Sequence, residues 1–125
     1  MDILDIITKK KNGKSLSYDE LKFAFNGYLP VKDQEREKAV RDFEALSRRQ
    51  DMTQIFIETP YRNSRLMECL LKILKDDTLL CIASHITNIT DEKIITKSVK
   101  QWKLHKTEIP KVPTIFMFYC GSQRV

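Results

Sequence analysis

The stretch Thr53-Gln54-Ile55-Phe56-Ile57-Glu58-Thr59-Pro60-Tyr61-Arg62 decides how the chain is read. Ile55, Phe56 and Ile57 form a β-branched and aromatic run, too short for a helix and bounded by polar residues, which predicts a strand. Pro60 has no N–H for a sheet ladder and drives Thr59 into an extended conformation, so the strand ends there. Asn63 and Ser64 are good helix caps, and Leu66, Met67, Leu70, Leu71 and Leu74 follow as an apolar helical stripe. A strand, a sharp polar corner and a helix result. In α/β folds ligands sit at the carboxyl ends of strands, where this corner lies. Glu58, Thr59, Tyr61 and Arg62 give it an acceptor, a hydroxyl, an aromatic ring and a planar cationic fork. Two readings of the corner stand side by side. In one, Glu58 and Arg62 pair with each other and Tyr61 covers the end of the core; in the other, the four residues line a ligand site.

Toward the C-terminus, Asp76-Asp77 breaks the helix, and Leu79-Leu80-Cys81-Ile82-Ala83 is apolar throughout, as befits a strand covered on both faces. A turn at 88–91 leads to a further strand at 93–99. A short helical segment holding Trp102 begins at Ser98 or Val99. Pro110 and Pro113 bracket a loop before a last strand, Thr114 to Tyr119. Toward the N-terminus, Asp33 caps a long helix, Gln34 to Arg49, with Val40, Phe43 and Leu46 on its apolar face. Glu35, Arg36, Glu37, Lys38, Arg41, Asp42 and Glu44 occupy its other faces. Upstream, Asp2 to Lys11 reads as a short helix with Ile3, Leu4, Ile6 and Ile7 on one side, ended by Asn12-Gly13. Ser17-Tyr18-Asp19-Glu20 is a capping box opening a second helix with Leu21, Phe23, Ala24 and Phe25 on its apolar face, and Gly27 closes it or starts a turn. The expected fold is α/β: a mixed sheet of about four or five strands with packed helices, preceded by an N-terminal α-hairpin. The expected division is a hairpin at 1–27, an α/β domain at 28–120 and a tail at 121–125.

A chain of 125 residues with 42% hydrophobic content can build one core. No apolar run approaches the roughly 20 residues that span a bilayer, and Met1 is followed by Asp2 rather than a secretory leader. A cytoplasmic protein without a membrane partner is the expectation, and on that basis the sequon Asn88-Ile89-Thr90 is incidental. Cys69, Cys81 and Cys120 are odd in number, lack C-x-x-C spacing and sit among apolar residues, which predicts buried free thiols. His85 and His105 have no cysteine partners spaced for zinc, so no metal site is expected. The net charge of +5 admits a polyanionic partner such as RNA, or a cofactor bearing phosphates. The basic residues that would serve RNA are Lys9, Lys10, Lys11 and Lys14, with Arg48, Arg49, Arg62 and Arg65; several of them equally complement helix ends. No glycine-rich phosphate loop, nucleophile elbow or H-E-x-x-H motif occurs, and no catalytic residue is assigned.

Phe23-Ala24-Phe25-Asn26-Gly27-Tyr28-Leu29-Pro30, then a charged helix, then Ile55-Phe56-Ile57-Glu58-Thr59-Pro60-Tyr61-Arg62, resembles the C-terminal half of the tetrapyrrole-methylase-type S-adenosylmethionine-dependent methyltransferases. The branch it resembles includes the ribosomal small-subunit RNA 2′-O-methyltransferases, in which an F-x-F-x-G-[FY]-L-P segment precedes an E-[ST]-P-[HY]-R corner. Pro113-Thr114-Ile115-Phe116-Met117-Phe118-Tyr119 is similar to the closing strand of that half, and the resemblance covers residues 23–119. It implies a cleft enzyme that binds S-adenosylmethionine between two halves. Glu58, Thr59, Tyr61 and Arg62 would line the substrate side, and Pro113, Thr114, Ile115 and Phe116 the cofactor side. The glycine- and proline-rich cofactor loop of the other half is not among these 125 residues. Residues 1–28 resemble instead the opening helices of pyrimidine-nucleoside phosphorylases, at Asp5-Ile6-Ile7-x-Lys9-Lys10-x-Asn12-Gly13-Lys14 and Phe25-Asn26-Gly27-Tyr28. Without that family's phosphate-binding residues, this second resemblance implies no activity. Three functions are therefore expected to compete. They are a methyltransferase half, inactive without its counterpart; a non-catalytic fragment or chimeric domain that forms homo-oligomers through an exposed half-cleft or the hairpin; and a basic RNA-binding module.

Overall fold

The computed structural model describes residues 23–86, 90–105 and 108–120. The elements in chain order are β1 (Phe23–Phe25), α1 (Asp33–Gln50), β2 (Thr53–Glu58), a 3-10 turn (Pro60–Arg62), α2 (Asn63–Ile73), β3 (Leu79–Ser84), β4 (Lys93–Ser98), α3 (Val99–Leu104) and β5 (Thr114–Tyr119). They build a five-stranded mixed sheet of order β1-β2-β5-β3-β4. β1 runs parallel to β2, whereas β5 is antiparallel to both β2 and β3, and β4 is antiparallel to β3. The last strand of the chain is thus the middle of the sheet, which is why its run Phe116-Met117-Phe118 is buried on both faces.

The helices gather on one face. α1 lies across β2 and β5, α3 lies on β4, and α2 fits between α1 and α3. Their core is built on Phe56, Phe116, Phe118, Leu80 and Ile82 from the sheet and Val40, Leu66, Leu70 and Trp102 from the helices. Phe56 stacks on Phe118 at 5.4 Å and meets the edge of Phe43 at 5.1 Å. Each such side chain, fully buried, contributes roughly 1.5–3 kcal/mol. Trp102 also needs a polar partner for its ring nitrogen, and Nε1–H donates to the Leu80 carbonyl at 2.8 Å. Ser98 holds α3 in place through a capping box with Gln101. Cys69, Cys81 and Cys120 are buried free thiols. Burial pushes the Cys69 thiol upward, against the lowering influence of the Arg36 guanidinium, so it stays protonated at neutral pH.

Several local expectations change. The first nineteen or so residues of the expected hairpin, its capping box and the phosphorylase-like opening lie outside the described residues. Phe23, Ala24 and Phe25, expected on a helix, form β1 instead, in register with Thr53, Gln54 and Ile55. Gly27 follows in the left-handed region (φ 69°), where glycine carries no steric penalty, and its carbonyl accepts from Ile57 N–H at 2.9 Å. Asp33 and Asn63 are the first helical residues of α1 and α2, and neither helix has a side-chain N-cap. Arg36 and Glu44, placed by pattern on the outer faces of α1, are buried at 3% and 5% exposure. Both are compensated by distant backbone: Arg36 donates to the Val31 carbonyl and to Asp33. Glu44 accepts from Lys75 N–H at 2.8 Å and from the Thr78 hydroxyl at 2.6 Å. Ile57 sits half-buried on the face opposite the helices, whereas its neighbours Ile55 and Phe56 are fully buried.

Candidate functional site

The antiparallel placement of β5 decides where the site residues meet. β2 and β3 both finish where β5 begins, so Glu58, Thr114 and Ser84 lie in one row across three strands. All three are buried polar residues. At Thr59 the chain is extended, as the following proline requires, and it then winds into the 3-10 turn, closed by Arg62 N–H donating to the Thr59 carbonyl at 3.0 Å. Within that turn Glu58 Oε1 accepts from Thr59 N–H at 2.7 Å and from Arg62 Nε at 3.0 Å. Glu58 and Arg62 therefore do pair, and the pair fixes the guanidinium plane. The pair uses Nε; the two terminal nitrogens of the fork have no partner among the described residues and can meet an anionic group. Tyr61 does not cover the core: it is 90% exposed.

Asn63 joins the two stretches that the sequence separates. Its side-chain amide, 1% exposed, donates to the Val112 carbonyl at 2.8 Å, to the Pro110 carbonyl at 3.0 Å and to Thr114 Oγ1 at 3.0 Å. Thr114 Oγ1 in turn donates to the Val112 carbonyl at 2.8 Å. The loop entering β5 is thus tied to the head of α2, beside the corner. Asn63 Oδ1 is left buried without a partner. A buried acceptor in that state is costly unless a donor reaches it, so it marks a place for an N–H or O–H group.

Glu58, Thr59, Tyr61 and Arg62 are accordingly brought together with Pro113 and Thr114. Ile115 and Phe116 are placed differently. Both lie inside the sheet and pair with β2 and β3, and Phe116 points its ring into the helix-side core. Asn63 and Ser84 went unassigned in the sequence: asparagine after the corner read as a cap, and Ser84 ended an apolar strand without any local sign of its partners. Of the basic residues, Arg62 and Arg65 stand at this end of the sheet, while Arg48 and Arg49 sit in the last turn of α1, before β2 begins. A six-residue strand separates the two pairs by about 20 Å. Among the described residues no cluster of three potential metal ligands occurs, and no helix is long and apolar enough to cross a membrane.

No family model matches the chain, and no curated protein matches it. Solved structures do. The methyltransferase CobJ superposes with a TM-score of 0.51 at 16% identity, over 83% of this chain and 44% of that one. A uroporphyrin-III C-methyltransferase from Thermus thermophilus, in complex with S-adenyl homocysteine, superposes with a TM-score of 0.52 at 13% identity, over 92% of this chain and 48% of that one. The fold is shared with tetrapyrrole methyltransferases. At these identities the likeness is one of fold, and the chain spans less than half the length of either structure.

Proposed function

We propose that this chain is the C-terminal, cofactor- and substrate-facing half of an S-adenosylmethionine-dependent methyltransferase, inactive without a complementary half. One observation carries the reading: in a fold shared with solved methyltransferases, Asn63 ties the Glu58–Arg62 corner to the loop entering β5 and keeps an unpartnered acceptor there. The residues present fit one side of such a cofactor. Asn63 Oδ1 can accept from its adenine amino group, and the backbone around Pro113 can flank it. When bound, the cofactor supplies a methyl group on a sulfonium, open to attack by a nucleophile.

The chain's own part is positioning. Glu58 locks Arg62, and the terminal nitrogens of Arg62 can hold a phosphate or carboxylate of the methyl acceptor. Tyr61 offers an exposed ring on which a flat acceptor can stack. Catalysis by positioning depends on both walls of the cleft, so half a cleft forfeits most of the rate. The motif resemblance favours RNA as acceptor, and the pairing of an aromatic ring with an arginine suits a base and its phosphate. An acidic macrocycle of the kind named in the T. thermophilus structure is the competing substrate class. Calorimetric titration with S-adenosyl homocysteine tests the cofactor side. Titration with a short single-stranded RNA at several salt concentrations tests the acceptor, since phosphate contacts weaken steeply with salt.

The reading as a self-associating module is favoured by a separate observation. Phe25, Tyr28 and Val31, which run along the edge of β2 toward the corner, are each more than half exposed. A complementary half or a second copy would cover them. Sedimentation at several concentrations tests this: a strictly monomeric species counts against self-association and leaves the half-cleft reading intact.

A further inference from the structure

The sheet has a second face, and it is as dry as the first. Side chains alternate along each strand, so Ile55 of β2, Met117 of β5 and Cys81 and Ala83 of β3 point away from α1, α2 and α3. Yet Ile55 and Ala83 are 0% exposed, Met117 3% and Cys81 7%. Among the described residues, those packed around them are Ile86, Ile94 and Ile115, which belong to the sheet or to the turn leaving β3. Neighbours within a sheet shield a side chain laterally and leave its outer end open. Closing it takes a second layer about 10 Å away.

Outside the described residues the chain has residues 1–22, 87–89, 106–107 and 121–125. Only the first is long enough to form a layer. It also ends in the right place: residue 22 leads into β1, and Phe23 and Phe25 lie in register with Thr53 and Ile55, on this same face. Its first ten or so residues carry Ile3, Leu4, Ile6 and Ile7 at helical spacing. A ten-residue helix is about 15 Å long. Three strands, here β2, β5 and β3, are about 10–15 Å across.

We propose that residues 1–22 form the covering layer of this face, with the stripe Ile3, Leu4, Ile6 and Ile7 set against Ile55, Met117, Cys81 and Ala83. The segment is then the third layer of the domain and not an appendage, and the basic run Lys9-Lys10-Lys11 emerges at its rim. This inference stands on burial and chain length and is independent of the methyltransferase reading.

Cys81 reports on it, because Cys69 and Cys120 belong to the helix side and the end of β5. Thiol labelling of the full chain, resolved by mass spectrometry, should find Cys81 protected to the same degree over a hundredfold dilution. In Ile6→Glu/Ile7→Glu, Cys81 should label about tenfold faster or more, while Cys69 and Cys120 keep their rates, as local opening requires. Protection of Cys81 that is lost on dilution of the unmodified chain would assign the cover to a second copy and overturn the proposal. So would a Cys81 rate unchanged in the double variant. Should all three thiols open together, the milder Ile7→Ala decides: selective acceleration at Cys81 supports the proposal, and none refutes it.

Discussion

Asn63, the first residue of α2, and Thr114, the first residue of β5, are 51 positions apart and joined at 3.0 Å. Through this contact and the two carbonyls beside it, one buried amide sets the distance between the corner and the last strand. Asn63→Ala should cost about 1–3 kcal/mol, the usual penalty for stranding buried hydrogen-bonding groups. Asn63→Asp should cost more, because a carboxylate would face the Pro110 and Val112 carbonyls. Urea unfolding of both variants checks this, and an alanine variant within about 0.5 kcal/mol of the parent would remove Asn63 as the tie.

Glu44 anchors α1 to the turn between α2 and β3. It accepts from Lys75 N–H and the Thr78 hydroxyl, so Glu44→Ala leaves two donors without an acceptor. A loss of about 1–3 kcal/mol is expected, and a smaller one for Glu44→Gln, which keeps an acceptor oxygen. Thr78→Val combined with Glu44→Ala should cost less than the sum of the two single changes, since they share one interaction. Additive losses would show that the two side chains act independently.

The same turn gives a pH dependence. Asp76 lies 2.9 Å from the Lys103 ammonium on α3, and that hydrogen bond and charge hold its carboxyl below the usual carboxylate range. A carboxylate with a depressed folded-state pKa stabilises the fold above its unfolded value and loses that contribution as pH falls through the folded one. Melting temperature should therefore fall from about pH 4 downward more steeply in the parent than in Asp76→Asn. Parallel curves would show that the pair contributes nothing.

Tyr61, exposed and outside the core, is expected to matter for ligands and not for folding. Tyr61→Ala should change stability by less than about 0.5 kcal/mol. If an RNA base stacks there, the same change should weaken RNA binding by about 1–3 kcal/mol. Equal affinity of parent and variant for single-stranded RNA would sink the stacking role.

What the sequence disclosed follows the range of the forces involved. The β2 corner, α2, β3 and β5 are announced by local patterns, and they stand where those patterns predict. β1 did not announce itself. Three residues are too few to show a period, and Phe23–Phe25 becomes a strand only because Thr53–Ile55, thirty positions on, offers it a ladder. Arg36 and Glu44 read as surface charge, since the carbonyl, amide and hydroxyl groups that make their burial tolerable lie outside any helical window. The four corner residues were legible from the proline and the strand before it. Asn63 was not, because an asparagine at a helix start is usually a cap, and its real partners come from the other end of the chain.

The most direct test of the proposed cofactor surface is an amide NMR titration of the full chain with S-adenosyl homocysteine. The account expects saturable shifts concentrated at Glu58, Thr59, Tyr61, Arg62 and Asn63 and at Lys111, Val112 and Thr114, the residues that Asn63 holds together. No shifts at millimolar ligand, or shifts gathered elsewhere on the sheet, would contradict it.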